Sequence, residues 1–151
     1  MKNKALIFII LPFCILMNIN IMEAKEENYS QQGEITKAPA KEKLVVLWTS
    51  GDREVALKMV FMYTFNSKKN GWCDDVTLVV WGPSAKILTE DPELQKEIQK
   101  MINAGVMVKA CKGCSDQYGV SEKLEEIGIT VLYIGKELTD YIKEGRHVLT
   151  F

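Results

Sequence analysis

Two cysteines three positions apart, Cys111 and Cys114, stand at the end of the apolar run Val106-Met-Val-Lys-Ala110 and are followed by Ser115-Asp116, a pair typical of a helix start. A thiol reacts as its thiolate, which is favoured by a helix N-terminus, by nearby cations and by partial exposure. Lys109 and Lys112 bracket Cys111, so this sequence places two thiols where they could act as nucleophiles or as a dithiol–disulfide couple. The competing reading is structural, since free cysteine is among the most buried residue types and often only fills space.

Other chemistries find less support. One Cys-x-x-Cys supplies two of the four ligands a structural zinc site requires, and the single histidine, His147, falls in an expected strand, so a metal-free and cofactor-free protein is expected. One histidine in that place gives no Ser-His-Asp arrangement any specificity. The turn Ser50-Gly51-Asp52 could hold an anion on backbone N–H groups, but it lacks both the Gly-x-Gly-x-x-Gly and the Walker patterns. Its plainer reading is a tight turn with Asp52 as a helix N-cap.

The elements that must position these groups alternate regularly. Leu44-Val-Val-Leu-Trp48 and Val76-Thr-Leu-Val-Val-Trp81 are short unbroken apolar runs, as expected of strands buried on both faces. Residues 106–110 and 129–133 supply two more strands, and 145–151 a terminal one. Helices are expected over 54–69, 84–89, 92–103, from Ser121 through Glu126, and over 136–144. In the first of these, Val55, Met59, Met62, Tyr63 and Asn66 recur at spacings of three and four, which predicts a stripe facing the sheet. Gly105 is expected to stop the third helix. Strict alternation implies an α/β fold, three layers with a mainly parallel five-stranded sheet and right-handed crossovers. In such sheets ligands bind beyond the carboxyl ends of the strands. Thr49-Ser-Gly-Asp52, Trp81-Gly-Pro-Ser84 and Cys111-Lys-Gly-Cys114 all lie there, with Trp48 and Trp81 expected to wall the cleft beside the cysteines.

The chain is 151 residues long, 47% hydrophobic and 26% charged, which suits one globular domain. Its first residues stand apart. Met1-Lys-Asn-Lys4 is followed by an apolar run to Met17, which reads as a signal peptide over residues 1–24, cleaved after Ala24. Pro12, Asn18 and Asn20 interrupt the run and argue against its alternative, an uncleaved membrane anchor. Phe13 is too bulky for a lipid-attachment box at Cys14. Residues 25–42 are polar without periodicity and read as a flexible lead-in, leaving 43–151 as the domain. Export to the periplasm or cell envelope would leave Cys73, Cys111 and Cys114, an odd count that excludes a full disulfide framework. The formal net charge of −1 and the lack of a basic stripe exclude a nucleic-acid partner.

With the strand-ending Cys111, its partner Cys114, and Gly119-Val120 eight positions after the first cysteine, the chain resembles the DsrE/DsrF-like family of small α/β sulfur-handling proteins. The resemblance spans residues 43–151 and includes Trp48-Thr-Ser-Gly-Asp52, Trp81-Gly-Pro-Ser84 and Val148-Leu-Thr-Phe151. It implies a homo- or hetero-oligomer, expected here as a homo-oligomer, in which a single strand-end cysteine accepts sulfane sulfur as a persulfide and passes it to a partner protein. Spacing to the glycine maps that cysteine onto Cys111, with Cys114 in the second position of a Cys-x-x-Cys branch. The export signal and the second cysteine both depart from the relay members. Three functions therefore remain open: a sulfur carrier or sulfurtransferase-like protein, a dithiol–disulfide redox protein, and a non-enzymatic small-ligand-binding module.

Overall fold

The computed structural model describes residues 41–151, so the expected signal peptide and nearly all of the lead-in lie outside the described residues. Five strands, β1 (Lys43–Trp48), β2 (Asp75–Val80), β3 (Met107–Cys111), β4 (Thr130–Leu132) and β5 (His147–Thr150), form one sheet in the order β4-β3-β2-β1-β5. Every pairing is parallel, as the unbroken apolar runs require.

This order follows from handedness. The connections from β1 to β2, β2 to β3 and β3 to β4 all step the same way across the sheet, and right-handed crossovers put their helices on one face. That face carries α1 (Arg53–Val55, a π-wound Ala56–Phe61 and Met62–Lys69, read as one helix), α2 (Pro83–Glu90), α3 (Pro92–Asn103), α4 (Lys112–Tyr118) and α5 (Ser121–Glu126). The return from β4 to β5 runs the opposite way, so α6 (Ile134–Lys143) lies on the other face.

The larger core joins Leu44, Val46, Trp48, Val76, Leu78, Val80, Val108 and Ala110 to the multi-helix face. The smaller one sets Val45, Val79 and Cys111 against Ile134 and Tyr141 of α6. Side chains alternate along each strand, so Lys109 and Cys111 share the α6 face while Val108 and Ala110 point to the other.

Asp52 caps α1 as expected, its Oδ1 accepting from the N–H groups of Glu54 and Val55 at 2.7 and 3.1 Å. The buried stripe of that helix is not the expected one. Ala56, Val60, Phe61, Thr64 and Ser67 face the core, whereas Met59 and Met62 are 49% and 57% exposed and Tyr63 lies at the surface. The two stripes share the same spacing, and three small side chains at Ala56, Thr64 and Ser67 let the helix approach the sheet. The π-wound turn, which adds a residue per turn, also shifts the phase that a uniform 3.6-residue period assumes. Trp72 is 57% exposed and rests against Tyr63, with ring centroids 6.3 Å apart. Among the described residues no helix is long and apolar enough to cross a membrane.

Candidate functional site

Because β1, β2 and β3 are adjacent, the three sequence-predicted loops converge at one end of the sheet. A Cβ on Gly51 would stand 3.2 Å from Pro83 Cβ, which brings the first loop against the second. Trp81 and Cys114 pack against the same small core, which brings the second against the third.

Cys111 is the last residue of β3 and the N-cap of α4, and it is buried. The helix starts at Lys112 rather than after Cys114, so Cys114 lies inside its first turn and is half-buried. Two turns later Gly119 ends the helix at φ 66°, a left-handed conformation that favours glycine, with its N–H bonded to the Asp116 and Ser115 carbonyls. The eight-residue spacing from Cys111 to Gly119 is thus the length of one short helix. Ser121, the first residue of α5, bonds through its hydroxyl to Ser115 and Asp116 and so ties α5 to α4.

Both cysteines are free thiols and are close enough to interact. The Cys114 thiol titrates above its ordinary range: burial pushes it up, and so does its bond with Cys111, while the Gly82 backbone N–H and the Trp81 side chain act in the opposite sense. Gly82 reaches this place through a backbone at φ 71°, ψ −135°, which side-chain-bearing residues rarely adopt. Buried Ser84 fixes the turn from beneath: its hydroxyl donates to the Trp48 carbonyl at 2.7 Å and accepts from the Trp81 N–H at 2.9 Å. Across the cysteine turn, the exposed Tyr133 ring lies about van der Waals distance from where a Gly113 side chain would project.

The two lysines do not serve the thiols as expected. Lys109 is paired with Glu137 of α6 and bonds the Tyr141 hydroxyl at 2.9 Å; Lys112 pairs with Asp116 at 3.0 Å. Each ammonium is therefore committed to a carboxylate. The groups that act to lower the Cys114 pKa come instead from Trp81 and Gly82 of the β2–α2 turn, which sequence reasoning missed. The signal for them was the Trp-Gly-Pro-Ser series, noted as a strand end without that role. Trp48 also does not wall the cleft. It is fully buried in the opposite core, edge-on to Phe61 at 5.0 Å.

The remaining candidates lie elsewhere. Cys73 packs against the larger core ahead of β2, and His147 bonds Glu42 at 2.9 Å near the amino ends of the strands. Neither joins the cysteine pair. In the β1 turn, the N–H groups of Thr49 and Ser50 are occupied by the Phe151 carbonyl at 2.7 and 3.2 Å, and the Asp52 N–H by Ser50 Oγ. The turn reads as a cap and a tether for the last residue, and those donors are not free for an anion.

Comparison with known proteins agrees with this architecture. The model of the family described as DsrE/DsrF-like matches residues 42–151. A solved structure of a conserved protein of unknown function from Bacteroides thetaiotaomicron is similar at 36% identity and a TM-score of 0.70, covering 73% of this chain and 95% of that one. No curated protein matches.

Proposed function

For a chain that belongs to the DsrE/DsrF-like family, as this one does, we propose a sulfur carrier or sulfurtransferase-like function centred on Cys111 and Cys114. Family membership supports a sulfur-relay type of role. The observation that carries the finer reading is the pair of free, interacting thiols at the carboxyl end of β3. Cys111 thiolate attacks the outer sulfur of a sulfane donor R–S–SH, forming Cys111–S–SH and releasing R–S⁻. The product can be handed to an acceptor protein, or Cys114 can attack the inner sulfur to give the Cys111–Cys114 disulfide and hydrosulfide.

Incubating the reduced protein with polysulfide under anaerobic conditions, followed by mass spectrometry, tests this. Thirty-two mass units added at Cys111, removed by a reducing thiol and absent from Cys111→Ser, are expected from the mass of one sulfur atom, roughly 32 Da per persulfide. An unmodified Cys111 counts against it.

The second reading, a dithiol–disulfide couple, rests on the same pair of interacting thiols. A redox titration separates it from an inert staple, because structural disulfides sit below about −300 mV and working couples well above. Export to the periplasm or cell envelope is part of the proposal and rests on the basic, apolar run of residues 1–17. So is self-association, for which exposed Met59, Met62, Tyr63 and Trp72 offer an apolar surface.

A further inference from the structure

Cys111 is the residue on which the sulfur-handling reading depends, yet only 9% of it is exposed. Its cover comes from three consecutive residues where β4 passes into α6. Leu132 lies opposite Cys111 in the β3–β4 register and packs against the same small core, and Ile134, fully buried, belongs to that core. Tyr133, between them, does the reverse: it is 70% exposed, and its ring reaches across the cysteine turn to Gly113. A Cβ on Gly113 would stand 3.9 and 4.0 Å from two carbons of that ring, with no other element inside 4 Å. Gly113 has ordinary helical backbone within α4, so its missing side chain serves no turn. What the missing side chain leaves is a gap about a methyl group wide between the helix and the ring, two residues from Cys111 and on the side of α4 that faces the start of α6.

We propose that Tyr133 is a specificity-determining residue: its ring and Gly113 form the two sides of a narrow entrance to Cys111, which selects small sulfane donors such as inorganic polysulfide over persulfides carried on a protein. This deepens the sulfur-handling reading and rests on it. A thiolate attacks sulfur along the axis of the bond that breaks, so the donor's reacting atoms must be brought into aligned contact with a thiol that is almost fully covered. A polysulfide is a single file of atoms with nothing branching from it, and it enters end first. A protein persulfide carries its own backbone only a few bonds behind the reacting sulfur, and that backbone meets the Tyr133 ring before the sulfurs meet. With disulfane as the donor the step balances: Cys111–S⁻ attacks one sulfur of HS–SH, Cys111–S–SH forms, and the other sulfur leaves as HS⁻ with the electron pair of the broken S–S bond.

The test leaves Cys111 as the single thiol of the full chain, by Cys14→Ser, Cys73→Ser and Cys114→Ser. It compares two reagents with the same reactive group, iodoacetamide and iodoacetamidofluorescein, each rate divided by that with free cysteine. The bulky reagent should lag the small one by roughly tenfold or more, the scale on which a pocket discriminates by size. Tyr133→Ala should remove most of that difference by speeding the bulky reagent. Gly113→Ala, whose methyl fits beneath the ring, should enlarge it, and Tyr118→Ala at the far end of α4 should leave it in place. Equal normalised rates in the parent, or a difference that neither Tyr133→Ala nor Gly113→Ala moves, overturns the proposal. Should Tyr133→Ala fail to fold, Gly113→Ala decides alone, since alanine is the better helix former at that position. Alkylation involves no sulfur transfer, so failure of the entrance is distinct from failure of persulfide formation at Cys111.

Discussion

Replacing Lys109 by Met separates two roles for this lysine, thiolate support and structural anchoring. Its ammonium pairs with Glu137 and the Tyr141 hydroxyl, with the Lys109 and Glu137 side chains 14% and 24% exposed. Surface pairs contribute about 0–1 kcal/mol, while removing one partner of a buried pair costs about 3–5 kcal/mol. At this intermediate burial the loss should be about 2 kcal/mol at neutral pH, or a fall of roughly 1 M in the urea midpoint for a domain of this size. The pH dependence gives the sharper signature. Burial raises the Glu137 pKa, but Lys109 and Tyr141 outweigh it, so the carboxyl titrates below its ordinary range. In the parent this contribution is present above pH ~4.3 and lost as pH falls through the lowered native pKa. Without Lys109, burial dominates and the native pKa rises above that of the unfolded chain. The destabilisation is then largest at neutral pH and shrinks as acid protonates Glu137. Urea unfolding at pH 7 and pH 4.5 measures both, alongside the rate of Cys111 alkylation in a Cys73→Ser, Cys114→Ser background. A loss of about 2 kcal/mol that diminishes at the lower pH, with alkylation unchanged, is expected. Unchanged stability with alkylation slowed tenfold would refute the reasoning and return Lys109 to the role of thiolate support.

Asp52→Ala removes the acceptor for the Glu54 and Val55 N–H groups and should cost about 1 kcal/mol in denaturant unfolding, as for other N-caps. Ser84→Ala takes away a fully buried hydroxyl bonded to the Trp48 and Trp81 backbone, and about 1 kcal/mol is expected, because the Trp81 N–H keeps its bond to the Trp48 carbonyl. Cys73 is held above its ordinary pKa by burial and by the nearby Glu42 and Asp74 carboxylates, so fewer thiolates exist at pH 8 and iodoacetamide should label it more slowly than free cysteine. Self-association through the exposed helix flank predicts that Met59→Glu with Met62→Glu reduces the particle mass seen by analytical ultracentrifugation without lowering thermal stability.

Much of the fold was legible because strands buried on both faces, such as Leu44–Trp48, declare themselves as unbroken apolar runs, and because Asp52 and Gly105 punctuate the helices between them. The orientation of α1 was not. Its core face is made from Ala56, Thr64 and Ser67, which hydrophobicity does not mark, while the methionines that do stand out face solvent. Strand order also lay beyond local pattern, and with it the fact that Trp48 and Trp81, each ending a strand, point to opposite faces of the sheet. At the site, the resemblance pointed to Cys111 through its spacing to Gly119, and in the structure one two-turn helix spans that interval. The charges were misjudged for a different reason: sequence proximity put Lys109 and Lys112 beside the thiols, but Glu137 is 28 residues beyond Lys109 and only the fold brings it back.

The central claim is that Cys111 accepts sulfur and Cys114 resolves it. Mass spectrometry of the reduced wild type, Cys111→Ser and Cys114→Ser after anaerobic exposure to polysulfide tests it most directly. A persulfide that accumulates on Cys111 in Cys114→Ser, is short-lived in wild type as hydrosulfide and the disulfide appear, and is missing from Cys111→Ser is the predicted pattern. A persulfide on Cys114 that persists when Cys111 is replaced, or unmodified thiols in all three proteins, would contradict it.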